Sequence, residues 1–257
     1  MEHETIEYDN EGTRLFAFAR GRGRPVIFLH GGMADHRAVA FRLGGLAEHA
    51  RLVMPDVRGV GRSHFSGTLS WDLLARDVRA LMDHLGLDQA VIGGFSAGAG
   101  AALSFARLEP ARTEALVLAW PAFGGAMRGL LPAQRVAMDR MHEAGRRAVA
   151  EGIGANEPLF QALPPPVREA ALVMVRSFDP ASVEATTRFL ASGVQPFADD
   201  AELADLGMPT LVIPGIDAEH PTEVAQAYAR AIPDARVDPG EDLVASIDAF
   251  LQDVASS

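Results

Sequence analysis

The sequence predicts an α/β fold in which a mostly parallel central sheet is flanked by helices and interrupted by a helical insertion. Short apolar runs alternate with longer segments of helical periodicity through the first half of the 257-residue chain. After Pro121 the pattern becomes helical or loop-like, and strand and helix signals resume at Pro209. Because alternating strands and helices are joined by right-handed crossovers, we expect helices on both faces of the sheet.

The predicted strands are apolar runs bounded by turn residues. They comprise an opening hairpin at residues 5–8 and 14–19, buried strands at 25–30, 52–56, 90–95, 114–120 and 209–215, and a very short strand near 236–237.

The predicted helices follow the helical spacing of apolar side chains. Ser70 is an expected N-cap, and the helix after it carries an apolar stripe that includes Leu74, Val78 and Leu81. The other predicted helices span residues 36–48, 98–108, 135–149, 166–177, 181–191, 223–231 and 241–254.

The region between the two strand-containing segments is predicted to be a packed helical cap or lid. An unstructured loop of about eighty residues would be improbable inside a compact domain. We therefore assign residues 1–121 and 206–257 to the core and residues 122–205 to the cap. The cap is expected to contribute apolar side chains to an apolar pocket, namely those of Met127, Met138, Met141, Phe160 and Met174.

The composition restricts the available chemistry. All 23 basic residues are arginine, and there is no cysteine. Lysine Schiff bases, thiolate nucleophiles, disulfides and cysteine-ligated metals are therefore excluded. No metal-binding spacing and no phosphate-binding glycine loop stand out, so we expect neither a metal nor another cofactor.

The net charge of −11 argues against binding nucleic acid or an anionic membrane. The acidic first residues do not resemble a signal peptide, and no apolar run approaches membrane-spanning length. A cytoplasmic protein with a small-molecule substrate is expected. A homodimer is compatible with the sequence, which does not specify the oligomeric state.

The motif Gly94-Phe95-Ser96-Ala97-Gly98 carries the clearest chemical signal. It joins a predicted strand to a predicted helix, where a tight turn with small neighbours can project the Ser96 oxygen above the sheet. The N-terminus of the helix would favour negative charge developing there.

Three further segments end strands in the matching order: Phe28-Leu-His30-Gly31-Gly32, Asp56-Val-Arg58-Gly59 and Pro209 through Asp217. Together with the serine motif, they resemble the α/β-hydrolase superfamily of esterases, lactonases and haloperoxidases over nearly the whole chain.

The resemblance implies a role for each matching residue. It makes Ser96 the nucleophile and Asp217 the acid of a catalytic triad. It also makes the backbone N–H of Ala97, with that of Gly32 or Met33, the oxyanion hole.

Two aromatic residues at strand ends are further candidates for substrate binding. Phe95 precedes the serine, and Trp120 ends the next strand. Trp120 is expected either on the pocket floor or as a core residue at the base of the cap.

The sequence departs from the superfamily pattern at the histidine. That residue should lie in the loop after the last strand, but residues 238–242 contain none and no histidine follows His220. Without a base, a serine is a poor nucleophile.

Two replacements for the missing base are open. His220, three residues after Asp217, is one candidate, although it could instead cap the helix that begins near Pro221. Glu241 or Asp242 is the other, although either could simply interact with a helix N-terminus. If a ring nitrogen of His220 lies within hydrogen-bond reach of Ser96, with Asp217 behind it, the triad is complete, whereas a separation beyond the reach of one water favours a non-hydrolytic reaction. His30 is expected to be structural, His36 is expected at the surface of a helix N-terminus although it could reach the pocket, and His64 could face the pocket rim.

Three functions remain open. The first is hydrolysis of a small, largely apolar ester, lactone or related carbonyl compound through Ser96. The second is a non-hydrolytic reaction such as cyclisation, isomerisation, dehydration or C–C cleavage, in which the oxyanion donors polarise a carbonyl. The third is ligand binding by a protein that has lost hydrolase activity.

Overall fold

The computed structural model describes residues 4–256, so residues 1–3 and 257 of the predicted core lie outside the described residues. Its sheet has eight strands in the order β1-β2-β4-β3-β5-β6-β7-β8. The pairs β1–β2 and β2–β4 are antiparallel, and all other pairs are parallel. The strands are β1 (Glu4–Asn10), β2 (Thr13–Arg20), β3 (Arg24–Leu29), β4 (Ala50–Asp56), β5 (Ala90–Phe95), β6 (Thr113–Ala119), β7 (Thr210–Ile213) and β8 (Ala235–Val237).

Helices cover both faces of the sheet, which confirms the predicted fold class. They are α1 (His36–Leu43), α2 (Trp71–Leu85), α3 (Ala97–Leu108), α4 (Pro132–Glu151), α5 (Pro165–Val175), α6 (Pro180–Ser192), α7 (Thr222–Ala231) and α8 (Leu243–Ser256). None of the helices within residues 4–256 is long and apolar enough to cross a membrane.

Local chemistry explains the main differences from the predicted bounds. The first helix ends at Leu43 and continues as a 3₁₀ turn, because Gly44 and Gly45 are poor helix formers. The last helix begins after Asp242, whose carboxylate accepts a hydrogen bond from the N–H of Ala245. Ser70 caps α2 as predicted, accepting a hydrogen bond from the N–H of Leu73.

The core has two apolar layers, one on each side of the sheet. Alternation along β5 directs Ile92 toward the layer formed with α2, α3 and α7, whereas Val91 faces α1 and α8. All side chains of β5 are buried. The strand is therefore held firmly at the position that precedes Ser96.

The segment between β6 and β7 contains α4, α5, α6 and a 3₁₀ helix at Ile153–Phe160. It packs over the carboxyl ends of the strands through a small apolar cluster in which Met33 of the core contacts cap residues such as Met174 and Phe178. Arg37 ties the two parts together by donating to Ser177 Oγ at 2.7 Å and to the carbonyl of Met174 at 3.2 Å. These contacts place a helical layer above the candidate site.

Candidate active site

Ser96 occupies a strained turn between β5 and α3. Its φ of 54° and ψ of −115° lie outside the regions that most side chains adopt. A Cβ on Gly94 would lie 2.2 Å from the carbonyl carbon of Gly98, and one on Gly98 would lie 2.4 Å from the carbonyl oxygen of Leu29. Glycine is therefore required at both positions, because neighbouring backbone atoms leave no space for a Cβ beside the serine.

Three side chains form a continuous hydrogen-bonded chain at this turn. Nε2 of His220 lies 2.8 Å from Oγ of Ser96. Nδ1 of the same ring lies 2.8 Å and 3.0 Å from the two carboxylate oxygens of Asp217. Such an arrangement lets the ring take a proton from the hydroxyl while the carboxylate holds the ring.

The loop after β7 folds back to present this histidine. Oδ1 of Asp217 accepts the backbone N–H groups of Glu219 at 2.9 Å and His220 at 2.8 Å, which closes a tight turn. A Cβ on Gly215 would lie 2.3 Å from the Cβ of His220. The absence of a side chain at Gly215 therefore leaves space for the histidine.

The pKa of Asp217 is lowered, which favours the carboxylate that a triad needs. Burial, the largest effect, raises its pKa, but the hydrogen bond and charge of His220 and the backbone N–H groups of His220 and Glu219 together outweigh it. The side chain is 63% exposed, so solvent screens these interactions.

His30 is positioned to orient the loop beside Ser96. Its Nε2 accepts the N–H of Val57 at 2.9 Å, so the proton of the neutral ring is on Nδ1, which lies 2.8 Å from the carbonyl oxygen of Gly31. Burial lowers the pKa of His30 and maintains that neutral form. Because a trans peptide directs C=O and N–H to opposite sides, the N–H of Gly32 points away from His30.

The other predicted donor is the N–H of Ala97. Ala97 is the first residue of α3, so its N–H has no acceptor within the helix. Met33 has a φ of 58° and directs its buried side chain into the cap cluster. Gly32 and Ala97 both line the cleft at Ser96.

The cleft above Ser96 has a volume of about 690 Å³, including its opening to solvent. Phe95 and Trp120 stack on one side, with ring centroids 4.8 Å apart. Trp120 has a φ of 51°, a conformation rarely adopted by bulky side chains. The cap contributes Met138, Met141 and Leu190.

A smaller apolar cavity adjoins the cleft. It is narrow, with about 30 Å³ accessible to the centre of a water molecule, and shares Gly31, Gly32, Ala97 and Leu190 with the cleft. Its other lining residues include Leu69, Trp71, Leu74 and Phe189.

The remaining sequence candidates lie elsewhere. The carboxylate of Asp242 caps α8, and neither it nor Glu241 lines the cleft. Nδ1 of His36 lies 2.7 Å from the buried carboxylate of Asp56, and its ring stacks on Phe18. These bonds brace the loop before α1. The side chain of His220 is directed at Ser96 and does not cap α7.

Two residues of the site region were not anticipated from the sequence. Arg42 lines the cleft from the last turn of α1. Gln134, a fully buried residue of α4, donates to the carbonyls of Ala122 at 2.6 Å and Glu219 at 2.9 Å. Neither belongs to a motif, so only their positions in the fold reveal them.

A family model described as "alpha/beta hydrolase fold" matches residues 24–151. The structure of an esterase from Thermogutta terrifontis, determined with malate bound, superposes with a TM-score of 0.80 over 99% of both chains, at 26% identity. The chain belongs to the α/β-hydrolase superfamily.

Curated relatives of this α/β-hydrolase match shorter stretches. It is 37% identical over 120 residues to the AB hydrolase superfamily protein YisY of Bacillus subtilis, covering 44% of each chain. It is 31% identical over 131 residues to a proline iminopeptidase of Arabidopsis thaliana, covering 49% of this chain and 32% of that protein. The chain thus spans less than half the length of these two relatives.

This α/β-hydrolase departs from the usual pattern in the position of its candidate histidine. Ser96, Asp217 and His220 follow one another in the superfamily order of serine, acid and histidine. However, the histidine follows the acid within the loop after β7, and the loop after β8 carries none.

Proposed function

We propose that the protein is a serine hydrolase that acts on a small, largely apolar carboxylic ester, lactone or related acyl compound. The carrying observation is the 2.8 Å separation between Nε2 of His220 and Oγ of Ser96, with Asp217 bonded to the other ring nitrogen. In this geometry His220 can act as the general base, although the loop after β8 lacks the usual histidine.

The proposed reaction proceeds in two steps. As Ser96 Oγ attacks the carbonyl carbon, His220 takes its proton, and the N–H groups of Ala97 and Gly32 stabilise the oxyanion. The C–O bond to the alcohol then breaks, and His220 returns the proton to the alcohol. Water, deprotonated by His220, attacks the acyl carbon. The C–O bond to Ser96 then breaks, His220 returns the proton to Ser96 Oγ, and the acid is released.

The lining of the site supports the substrate class. Side chains of Met138, Met141 and Leu190 cover the cleft, and the adjoining cavity is almost wholly apolar. Apolar walls with a few convergent polar groups favour small organic ligands. They suit a short acyl chain beside the oxyanion donors.

The test is covalent labelling of the serine. A fluorophosphonate should label Ser96, as located by peptide mass spectrometry, and Ser96→Ala should abolish labelling. It should also reduce kcat for short-chain aryl esters by at least about 10³-fold. Ser66→Ala, an exposed change in the loop before α2, serves as a control for the serine-to-alanine change.

Other outcomes would favour the two alternatives. Turnover of a carbonyl substrate that survives Ser96→Ala would overturn the proposal in favour of a non-hydrolytic catalyst. Tight binding of a small molecule by a folded protein that is neither labelled nor active would instead favour a binding protein.

A further inference from the structure

Arg42 is a cation in the candidate active site that is held by aromatic rings. Its guanidinium carbon lies 4.9 Å from the centroid of Trp120 and 6.0 Å from that of Phe95. Among residues 4–256, no carboxylate forms an ion pair with it. Other arginines differ, since Arg37 pairs with Asp35 and Arg128 with Asp200.

The backbone of Trp120 fixes the position of the ring on which Arg42 packs. Trp120 ends β6 with a positive φ, and its N–H bonds to the carbonyl of Ile213 at 2.7 Å. A bulky residue keeps such a conformation only where its surroundings enforce it. The strained backbone holds the indole against Phe95, and the guanidinium of Arg42 lies over both rings, so the cation has a defined position at the cleft.

Arg42 is an exposed residue, so water still solvates part of its charge. The partial burial of its side chain lowers its pKa, because the charged form loses some of its hydration at the cleft. Stacking on rings satisfies one face of a guanidinium but leaves its N–H groups at the edge available. Those N–H groups form the fork that recognises a carboxylate.

We infer that Arg42 binds a carboxylate group carried by the substrate, so the preferred ester has one apolar part and one singly charged anionic part. This inference rests on the proposed function and narrows its substrate class. We expect one negative charge on the substrate and not two. Arg42 is the only arginine among the described residues that line the cleft, and a second negative charge would be repelled by the exposed carboxylate of Glu219, which also lies there. The apolar part then lies against Met138, Met141 and Leu190 of the cleft.

The test compares esters that differ only in charge. One pair, para-carboxyphenyl butanoate and para-carbamoylphenyl butanoate, places the charge on the alcohol. The second pair, the para-nitrophenyl half-ester of glutaric acid and its half-amide counterpart, places it on the acyl chain. In at least one pair, kcat/KM should favour the carboxylate by about tenfold or more.

The variants assign that preference to the guanidinium. Arg42→Gln should bring the carboxylate-to-amide ratio close to one, and Arg42→Lys should retain part of it. The ratio is the readout because loss of packing against Trp120 would lower both rates together. The matched control Arg22→Gln removes the same charge between β2 and β3, at the opposite edge of the sheet, and should leave the ratio unchanged.

A second measurement requires neither substrate turnover nor a variant that folds correctly. Phosphonates with and without a carboxylate should label Ser96 of the unaltered protein at rates that differ in the same direction, and added salt should reduce the difference. Equal rates for both members of every pair, or a ratio that Arg42→Gln leaves unchanged, would overturn the inference while leaving the hydrolase proposal intact. If Ser96 is neither labelled nor active, the proposed function fails and the inference fails with it.

Discussion

Asp217 is the most exposed member of the candidate triad. Its side chain is 63% exposed, whereas that of His220 is 15% exposed. The tight turn that brings acid and histidine together within three residues also places the carboxylate at the surface. Solvent therefore weakens its electrostatic effect on the ring.

We expect Asp217→Asn to reduce kcat, but by less than the ~10⁴-fold that a buried triad carboxylate contributes. An asparagine can accept a hydrogen bond but cannot neutralise a protonated ring. Steady-state kinetics with an aryl ester would measure the loss. Asp234→Asn, a change in the loop before β8, provides the control, and an Asp217 variant as active as that control would remove Asp217 from the triad.

At the scale of elements, the approach of α3 to β3 and β5 determines the geometry of the nucleophile turn. A Cβ on Gly98 would meet the carbonyl oxygens of Leu29 and His30 at 2.4 Å and 2.5 Å. Both contacts are with backbone, which cannot rotate away as a side chain can. The helix must therefore shift if the residue grows.

We expect Gly98→Ala to lower the free energy of unfolding by about 1–3 kcal/mol and to reduce activity as well, because α3 carries the N–H of Ala97. Urea unfolding would measure the stability. Gly207→Ala is the matched control, since no atom lies within 4 Å of a Cβ built there. If both variants were equally stable, the close packing would not be a constraint.

At the scale of the whole molecule, Gln134 couples α4 to the loop that carries two residues of the candidate triad. The side chain is fully buried and uses its amide on three backbone groups: it accepts the N–H of Leu131 and donates to the carbonyls of Ala122 and Glu219. Glu219 immediately precedes His220. The cap therefore holds the loop that carries the histidine.

Gln134→Leu should lower the free energy of unfolding by about 1–3 kcal/mol, because it leaves the buried carbonyl of Ala122 without its donor and removes the hydrogen bonds to Leu131 and Glu219. It should also reduce kcat at temperatures at which the variant is fully folded, because His220 is less firmly placed against Ser96. Thermal unfolding followed by kinetics would separate the two effects. Gln161→Leu, an exposed change elsewhere in the cap, should alter neither.

Particular elements show how far the sequence could be interpreted. Short apolar runs predicted the strands around Ser96, and the Ser70 cap predicted the start of α2, because both are local patterns. The end of α1 at Leu43 was missed, because helical periodicity continues through Gly44 and Gly45. Asp242 was an open candidate for the base until its position as a helix cap was known.

The sequence alone determined the α/β fold and the single strand–serine–helix turn, and its lack of lysine and cysteine left few alternative nucleophiles. Those properties follow from local spacing and composition. Only the tertiary structure decided that His220 lies against Ser96, that Gln134 holds the loop that carries His220, and that Arg42 lines the cleft. These contacts join residues 85 or more positions apart or depend on how α1 packs at the cleft. No local pattern encodes them, because they arise when crossovers bring the carboxyl ends of parallel strands to one edge of the sheet.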